Sequence, residues 1–226
     1  MVDAVYSTEE LDDIEAFFEA FRSTDLAVFN GEKRLSEIDP KRELQRAMHP
    51  HRYHREPKEW MMHPRIVEVL GALFGCDPFG VQTMYYYKPP GSVGQGIHQD
   101  NFFLLANPTP CIGSWTPIDD ADLENGCLFV IPRAHGNGLI CKSEGEAWRG
   151  MKTHMSDIVD AKPIPVPVKR GQTMFFHGEL PHGSGPNRSK SKSRRTFIGH
   201  YCAAVTKELS QYYFPIVDKD LNDVSG

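Results

Sequence analysis

From Gly80 onward the sequence is cut into short runs of β-branched and aromatic residues, and this punctuation constrains the fold more than any other feature. The runs span 81–87, 112–118, 127–131, 164–168, 173–177 and 195–203. Turn residues close each of them: Pro89-Pro90-Gly91, Asp119-Asp120, Glu124-Asn125-Gly126, Pro132, Arg170-Gly171 and the stretch from Gly183 to Pro186. Runs of this length and composition are strands, and Gly and Pro clusters are where such strands turn.

The first third obeys a different grammar. Ser7 and Glu10 have the spacing of a capping box, and Leu11, Ile14, Phe17, Phe18 and Phe21 then recur at helical period. Asp39-Pro40 reads as N-cap and first position of a short helix reaching Met48. Pro64 opens another helix, whose buried face is Ile66, Val67, Leu70, Leu73 and Phe74 and whose stop is Gly75. Helices first and short strands after predict an α+β, mainly β chain. An antiparallel sandwich follows, and a jelly roll with N-terminal helices packed on one sheet is its simplest form, although periodicity does not separate it from other sandwiches. The chain is expected to be one domain: a mainly helical flank over 1–78, a jelly-roll core over 79–205 and a C-terminal tail over 206–226.

The 226 residues carry a formal net charge of −5, which argues against a nucleic-acid or membrane-surface partner needing a basic field. The five cysteines, Cys76, Cys111, Cys127, Cys141 and Cys202, are odd in number and form no CxxC pair, so reduced structural cysteines are expected. The acidic start MVDAVYSTEELDDIEAFF lacks the basic-then-apolar pattern of a signal peptide, and the end DVSG matches no retention or peroxisomal signal. No run approaches the ~18 apolar residues a membrane span requires. The expected address is the cytoplasm and the expected partner a small molecule; oligomeric state has no sequence signal.

Of ten histidines, six read as structural or solvated: His49, His51 and His54 in the Pro-interrupted MHPHRYH, then His63, His135 and His154. His98-Gln99-Asp100 differs. A His and an Asp two apart on an extended segment point to one side and can offer nitrogen and oxygen to one cation. That mixture suits a divalent ion such as Fe(II). The pattern alone is weak in a chain so rich in histidine and needs a second imidazole from a facing strand. GQTMFFHGELPHGSGPN at 171–187 offers two, His177 and His182. Three ligands of this kind leave three adjacent positions open, enough for a co-substrate and O2 together.

The basic stretch Arg188, Lys190, Lys192, Arg194, Arg195 reads as a solvated loop in its first three members. Arg194 and Arg195 open the run TFIGHYCAA, where an inward-facing guanidinium could grip a carboxylate with two prongs.

Taken in order, KPPG at 88–91, HQD at 98–100, Trp115, NGCLFVIP at 125–132, FFH-x4-HGSG-x-N at 175–187 and Arg194 resemble the phytanoyl-CoA dioxygenase family of Fe(II)- and 2-oxoglutarate-dependent oxygenases. The resemblance runs from about residue 64 to about residue 203. It implies that His98, Asp100 and His182 are the iron ligands and the catalytic centre, and that Arg194, with Ser184 alongside, binds the distal carboxylate of 2-oxoglutarate. Met84, Gln99 and Trp115 match positions near the cosubstrate. The implied fold is the double-stranded β-helix, a jelly-roll variant. The implied reaction spends O2 and 2-oxoglutarate to oxidise a substrate C–H bond, releasing succinate and CO2.

Two local features depart from the family pattern. The segment between His182 and Arg194 is one residue longer than usual, which leaves Arg195 as a rival for the carboxylate. IPRAHG at 131–136 replaces the more usual Pro-Gly-Ser-His or Pro-Gly-Thr-His. Related halogenases carry a small residue in place of the ligating carboxylate. Asp100 is present here, so hydroxylation or another oxidation, such as desaturation or cyclisation, is expected. The chain is shorter than acyl-CoA-hydroxylating members, which turns the expectation from a fatty acyl-CoA 2-hydroxylase towards a small metabolite or natural-product intermediate. A non-redox cupin-like metal enzyme would use the same three ligands but has no use for Arg194 or the HGSG loop, and a silent binding module has no use for the ligands.

Strand alternation adds a substrate expectation. If Met84 faces the barrel interior, Gln82 and Tyr86 do too; if Arg194 faces inward, so do Thr196, Ile198 and His200. Gln82, Tyr86 and His200 are therefore candidate substrate contacts, with volume filling the alternative for Tyr86 and His200. Phe197 and Tyr201 then pack beneath the N-terminal helices. The stretch 142–162 has few strand or helix signals and is a candidate lid.

Overall fold

The computed structural model describes residues 1–23, 34–140 and 162–225. In chain order the elements are β1 (Val2–Asp3), α1 (Thr8–Ser23), β2 (Gln45–Met48), α2 (Arg55–Met61), α3 (Pro64–Phe74), β3 (Pro78–Tyr87), β4 (Gln95–His98), α4 (Asn101–Leu104), β5 (Ile112–Pro117), β6 (Leu128–Val130), β7 (Ile164–Val166), β8 (Gln172–His177), β9 (His182–Ser184), β10 (Thr196–Ala203), β11 (Ile216–Val217) and β12 (Asp223–Val224). Short 3-10 turns join several of them.

The strands form two antiparallel sheets. The larger runs β1-β8-β5-β10-β3-β11-β12, with β2 also paired to β3. The smaller runs β4-β9-β6-β7. Sequence neighbours are seldom sheet neighbours, which is the crossing pattern of a jelly roll. The double-stranded β-helix is therefore present, and the sheet reaches beyond residue 205 through β11, which meets β3 at Val217–Gly80.

Two cores follow from strand alternation. Met84 and Tyr86 of β3, Trp115 of β5, Met174 and Phe176 of β8 and Ile198 of β10 turn inward and meet Leu128 and Val130 of the smaller sheet. The opposite faces of the same strands, Tyr85, Tyr87, Phe197 and Tyr201, lie under the helices against Leu11, Ile14, Phe18, Met61, Ile66 and Leu70. Burying each such side chain contributes about 1.5–3 kcal/mol, so this second core secures the helices. The phenols there also bind helix carbonyls: Tyr87 donates to Phe18 O at 2.7 Å and Tyr201 to Met61 O at 2.9 Å.

The capping box forms as expected: Glu10 N donates to Ser7 Oγ at 3.1 Å, and Ser7 N donates to Glu10 Oε2 at 2.7 Å. Gly75 ends α3 in the left-handed conformation. The helix expected from Asp39-Pro40 to Met48 is absent. Asp39 instead caps a turn, accepting from Lys41 N, and the chain continues as β2 with Gln45 to Met48 opposite Tyr87 to Met84. Tertiary pairing overrides the local helix signal there, because an open β3 edge needs a partner. Buried Gln45 and Ala47 alternate with half-buried Arg46 and Met48, the period of a strand. The candidate lid at 142–162 lies outside the described residues except for Lys162. Among the described residues no helix is long and apolar enough to cross a membrane.

Candidate metal centre and adjoining cavity

β4 and β9 pair so that His98 and His182 are direct register partners. Their ring centroids are 4.4 Å apart. His182 is therefore the first residue of a strand, not part of the loop expected from its glycines. Asp100 sits two residues beyond the end of β4 in a helical conformation, at the entry to α4. A turn, rather than extended alternation, brings its carboxylate beside the ring of His98. One ligand atom from each of His98, Asp100 and His182 lies within 4.8 Å of the others, and all three residues are buried.

Each imidazole is oriented from behind. His98 Nδ1 donates to Gly96 O and His182 Nδ1 donates to Leu180 O, both at 2.9 Å. A carbonyl only accepts, so the proton is fixed on Nδ1 and the lone pair of Nε2 is turned to the centre. Asp100 Oδ1 is 3.3 Å from His98 Nε2, and Oδ2 is 3.7 Å from His182 Nε2. His200 Nε2 donates to Oδ2 at 3.0 Å. Burial pulls the Asp100 carboxyl up, but His182, His200 and His98 outweigh it and hold it well below the usual range. Burial pushes His182 down to about 4, against the opposing pull of Asp100. The set is thus two ring nitrogens and one carboxylate oxygen in a buried place, a donor combination that fits Fe(II). His177 is not part of it; its ring packs near His135, at 5.3 Å between centroids.

Arg194, two residues before β10, is 2% exposed. Its guanidinium lies over the Trp115 ring at 5.4 Å, and Nη1 donates to Thr196 Oγ1 at 2.7 Å. Nε is buried without a partner, and among the described residues no carboxylate pairs with it. Burial lowers its pKa to about 10. An unpaired buried cation costs several kcal/mol, so this geometry invites an anion. Arg195 faces the other way: its guanidinium meets Asp119 at 2.7 Å and Glu15 and Glu19 of α1 at 2.7 and 3.2 Å. Its charge is already met.

Lys88 opens the KPPG stretch, and the sequence reading did not single it out as a site residue. It is 2% exposed. Nζ donates to Ser184 Oγ at 2.9 Å and to Gly185 O at 2.6 Å. Burial first, and Arg194 second, lower its pKa to about 6. A local signal for it exists: 82, 84, 86 and 88 share one face by alternation.

The other expected site residues divide. Met84, Trp115, Tyr86, Gln82 and His200 all lie in the barrel interior as alternation requires. Gln99 does not turn to the centre. Its amide donates to Gly138 O and Glu179 O and accepts from Ile140 N, so it ties two loops together. Gln82 Nε2 lies 3.2 Å from His49 Nε2, and His51 Nδ1 lies 2.7 Å from Thr83 Oγ1, which gives both buried histidines structural partners. Arg133, in the IPRAHG stretch where the family more usually has glycine, takes a left-handed conformation at φ 64°. Lys192 of the basic loop pairs with Glu124 at 2.9 Å on the surface.

A cavity of about 510 Å³ opens on His98 and Asp100, bounded by Arg46, Gln82, Tyr86, Gln95, His200 and their neighbours. That is enough for a small organic molecule.

Comparisons with known proteins bear on the family and the fold. The family model described as phytanoyl-CoA dioxygenase matches residues 1–196. A rice (Oryza sativa subsp. japonica) protein named phytanoyl-CoA dioxygenase 1 is 35% identical over 134 residues, 58% of this chain and 48% of the relative. A mouse (Mus musculus) phytanoyl-CoA dioxygenase domain-containing protein 1 is 32% identical over 175 residues, 74% of this chain and 60% of the relative. The chain thus spans about half to three-fifths of the length of these curated relatives. A solved structure titled as the epimerase SnoN in complex with Fe3+, alpha ketoglutarate and nogalamycin RO superposes with a TM-score of 0.68 at 20% identity, covering 91% of this chain and 78% of its own. That last likeness speaks for the fold. With the family model spanning most of its length, this chain belongs to the phytanoyl-CoA dioxygenase family.

Proposed function

We infer that the protein is an Fe(II)- and 2-oxoglutarate-dependent oxygenase. It oxidises an unactivated C–H bond of a small-molecule metabolite or natural-product intermediate, by hydroxylation or a related oxidation, with release of succinate and CO2. The observation that carries this reading is the convergence of His98, Asp100 and His182, each imidazole with its lone pair turned to one point.

Bound there, Fe(II) would supply the redox chemistry that couples O2 and 2-oxoglutarate to substrate oxidation. The protein's own part is positional. Gly96 and Leu180 carbonyls hold the two rings; His200 holds the carboxylate. Arg194 receives the distal carboxylate of 2-oxoglutarate, and Trp115 and Thr196 fix the plane of its guanidinium. Lys88 aligns the Ser184 hydroxyl towards the same carboxylate. A charge-assisted pair in this dry setting is stronger than in water. Phe176, its ring 4.5 Å from that of His182, and Met84 on the cavity wall give the centre an apolar flank.

The test is succinate formation. Protein purified without oxygen is given Fe(II) and 2-oxoglutarate, then air. Wild type is expected to release succinate, slowly without substrate, while His98→Ala, Asp100→Ala and His182→Ala release none and lose Fe(II) binding. Succinate at the wild-type rate from Asp100→Ala, or none from wild type, would refute the reading.

A further inference from the structure

Arg46 is left over after the metal centre and the Arg194 site are accounted for. It sits on β2 directly opposite Tyr86 of β3. Among the described residues lining the cavity, it alone carries a permanent positive charge. Nη1 donates to the Tyr86 hydroxyl at 2.7 Å, and the guanidinium lies over the Tyr86 ring at 5.6 Å. These contacts fix where the charge points but do not neutralise it. Nε is buried without a partner, and among the described residues no carboxylate pairs with Arg46. The fixed anion of the cavity, Asp100, is held by three histidines and belongs to the metal centre.

A half-buried guanidinium held in one orientation, with Nε unpaired and no counter-charge among the described residues, is an anion site awaiting its anion. It lines the same cavity as His98 and Asp100 from β2, whereas Arg194 precedes β10 and has its own enclosed setting over Trp115. We propose that the substrate of this cavity is a small molecule bearing a carboxylate, phosphate or phosphonate group, and that Arg46, steadied by Tyr86, receives that group. The anion then anchors one end of the substrate and sets which C–H bond faces the centre. Tyr86 thereby becomes a positioning residue rather than filler. Gln82 and Gln95 also stand on the cavity wall; Nε2 of each already lies 3.2 Å from an imidazole nitrogen, of His49 and His98, so their amide oxygens are the atoms left for the remainder of a polar molecule. The inference rests on the oxygenase reading and narrows its substrate class.

The test uses the full chain loaded with Zn(II), which does not turn over, and 2-oxoglutarate. Butanoate and propylphosphonate are compared with their uncharged counterparts, butanamide and dimethyl propylphosphonate, and affinities are read by ligand-observed NMR. In wild type at least one anion is expected to bind roughly tenfold or more tightly than its neutral counterpart, the scale of one charge-assisted pair. Arg46→Gln should abolish the difference, Arg46→Lys should keep part of it, and both should leave the 2-oxoglutarate affinity within about twofold. Equal binding of acid and neutral probe in wild type, or a preference that survives Arg46→Gln, overturns the proposal. So does a loss of 2-oxoglutarate affinity in Arg46→Gln with probe binding unchanged, since that would give Arg46 to the cosubstrate. Failure to form succinate in air would sink the oxygenase reading alone, because the probe affinities are measured without turnover and answer for Arg46 independently.

Discussion

His200 Nε2 donates to Asp100 Oδ2 across 3.0 Å, from the middle of the larger sheet to the turn that precedes α4. The contact occupies one oxygen of the carboxylate and leaves Oδ1 beside the His98 ring. An outer contact of this kind orients a metal ligand, and its loss usually costs 10–100-fold in metal affinity. His200→Ala is therefore expected to weaken Co(II) or Fe(II) binding by roughly that factor in equilibrium dialysis. His200→Gln, which can still donate, should lose less. Unchanged metal affinity in His200→Ala would leave His200 with a packing or substrate role only.

The two adjacent arginines separate binding from stability. Among the described residues Arg194 is buried without a counter-charge, whereas Arg195 is tied to Asp119, Glu15 and Glu19. Arg194→Gln should raise the 2-oxoglutarate dissociation constant by roughly 10- to 100-fold, the scale of a lost charge-assisted pair. Arg195→Gln should leave that constant alone and lower stability by about 1–3 kcal/mol in urea unfolding, since it unties α1 from the sheet. The reverse pattern would assign the carboxylate to Arg195.

Lys88 gives a pH prediction whose sign is fixed. Its folded pKa is about 6, against an ordinary 10.5. Between those values the unfolded chain binds the extra proton, so this residue makes stability rise with pH across that window and flat below it. Arrival of the 2-oxoglutarate carboxylate favours the charged ammonium, so binding near pH 8 must take up a proton, and affinity must fall as pH rises above about 6. Calorimetric titration in buffers of different ionisation heat is expected to show uptake of up to about one proton, absent in Lys88→Met. Proton release on binding to wild type would contradict this role for Lys88.

Much of the site is legible in the sequence because its signals are local. Helical spacing, the capping box, the alternation of Gln82, Met84 and Tyr86 against Tyr85 and Tyr87, and the ordered motifs at His98, Asp100, His182 and Arg194 are all readable from neighbouring residues. What escapes depends on pairing between distant segments. Asp39-Pro40 has the chemistry of a helix start, and nothing nearby reveals that β3 recruits residues 45–48 as a strand. Without β2, Arg46 has no visible route to the cavity. Gln99 stands between two ligands in sequence, yet its amide is spent on Gly138, Ile140 and Glu179, partners 39 to 80 residues away. The choice between Arg194 and Arg195 turns on α1, whose carboxylates are far off in sequence.

The end of β9 that carries Ser184 is also set by a distant turn, and two glycines can isolate that effect. Gly126 and Gly171 both adopt positive φ, 91° and 89°. A side chain at either position incurs the same backbone strain, about 1–3 kcal/mol. They differ in surroundings. A Cβ at Gly126 would lie 2.5 Å from Gly185 O, the carbonyl that accepts from Lys88 Nζ, whereas a Cβ at Gly171 meets nothing within 4 Å. Gly185 O and its carbonyl carbon, 2.5 and 3.1 Å from that Cβ, cannot yield without moving Ser184. Gly126→Ala should therefore destabilise the protein more than Gly171→Ala in urea unfolding and, unlike it, raise the KM for 2-oxoglutarate several-fold. Equal stability loss and equal KM in the two variants would mean that the turn at Gly126 and the end of β9 at Ser184 are mechanically independent.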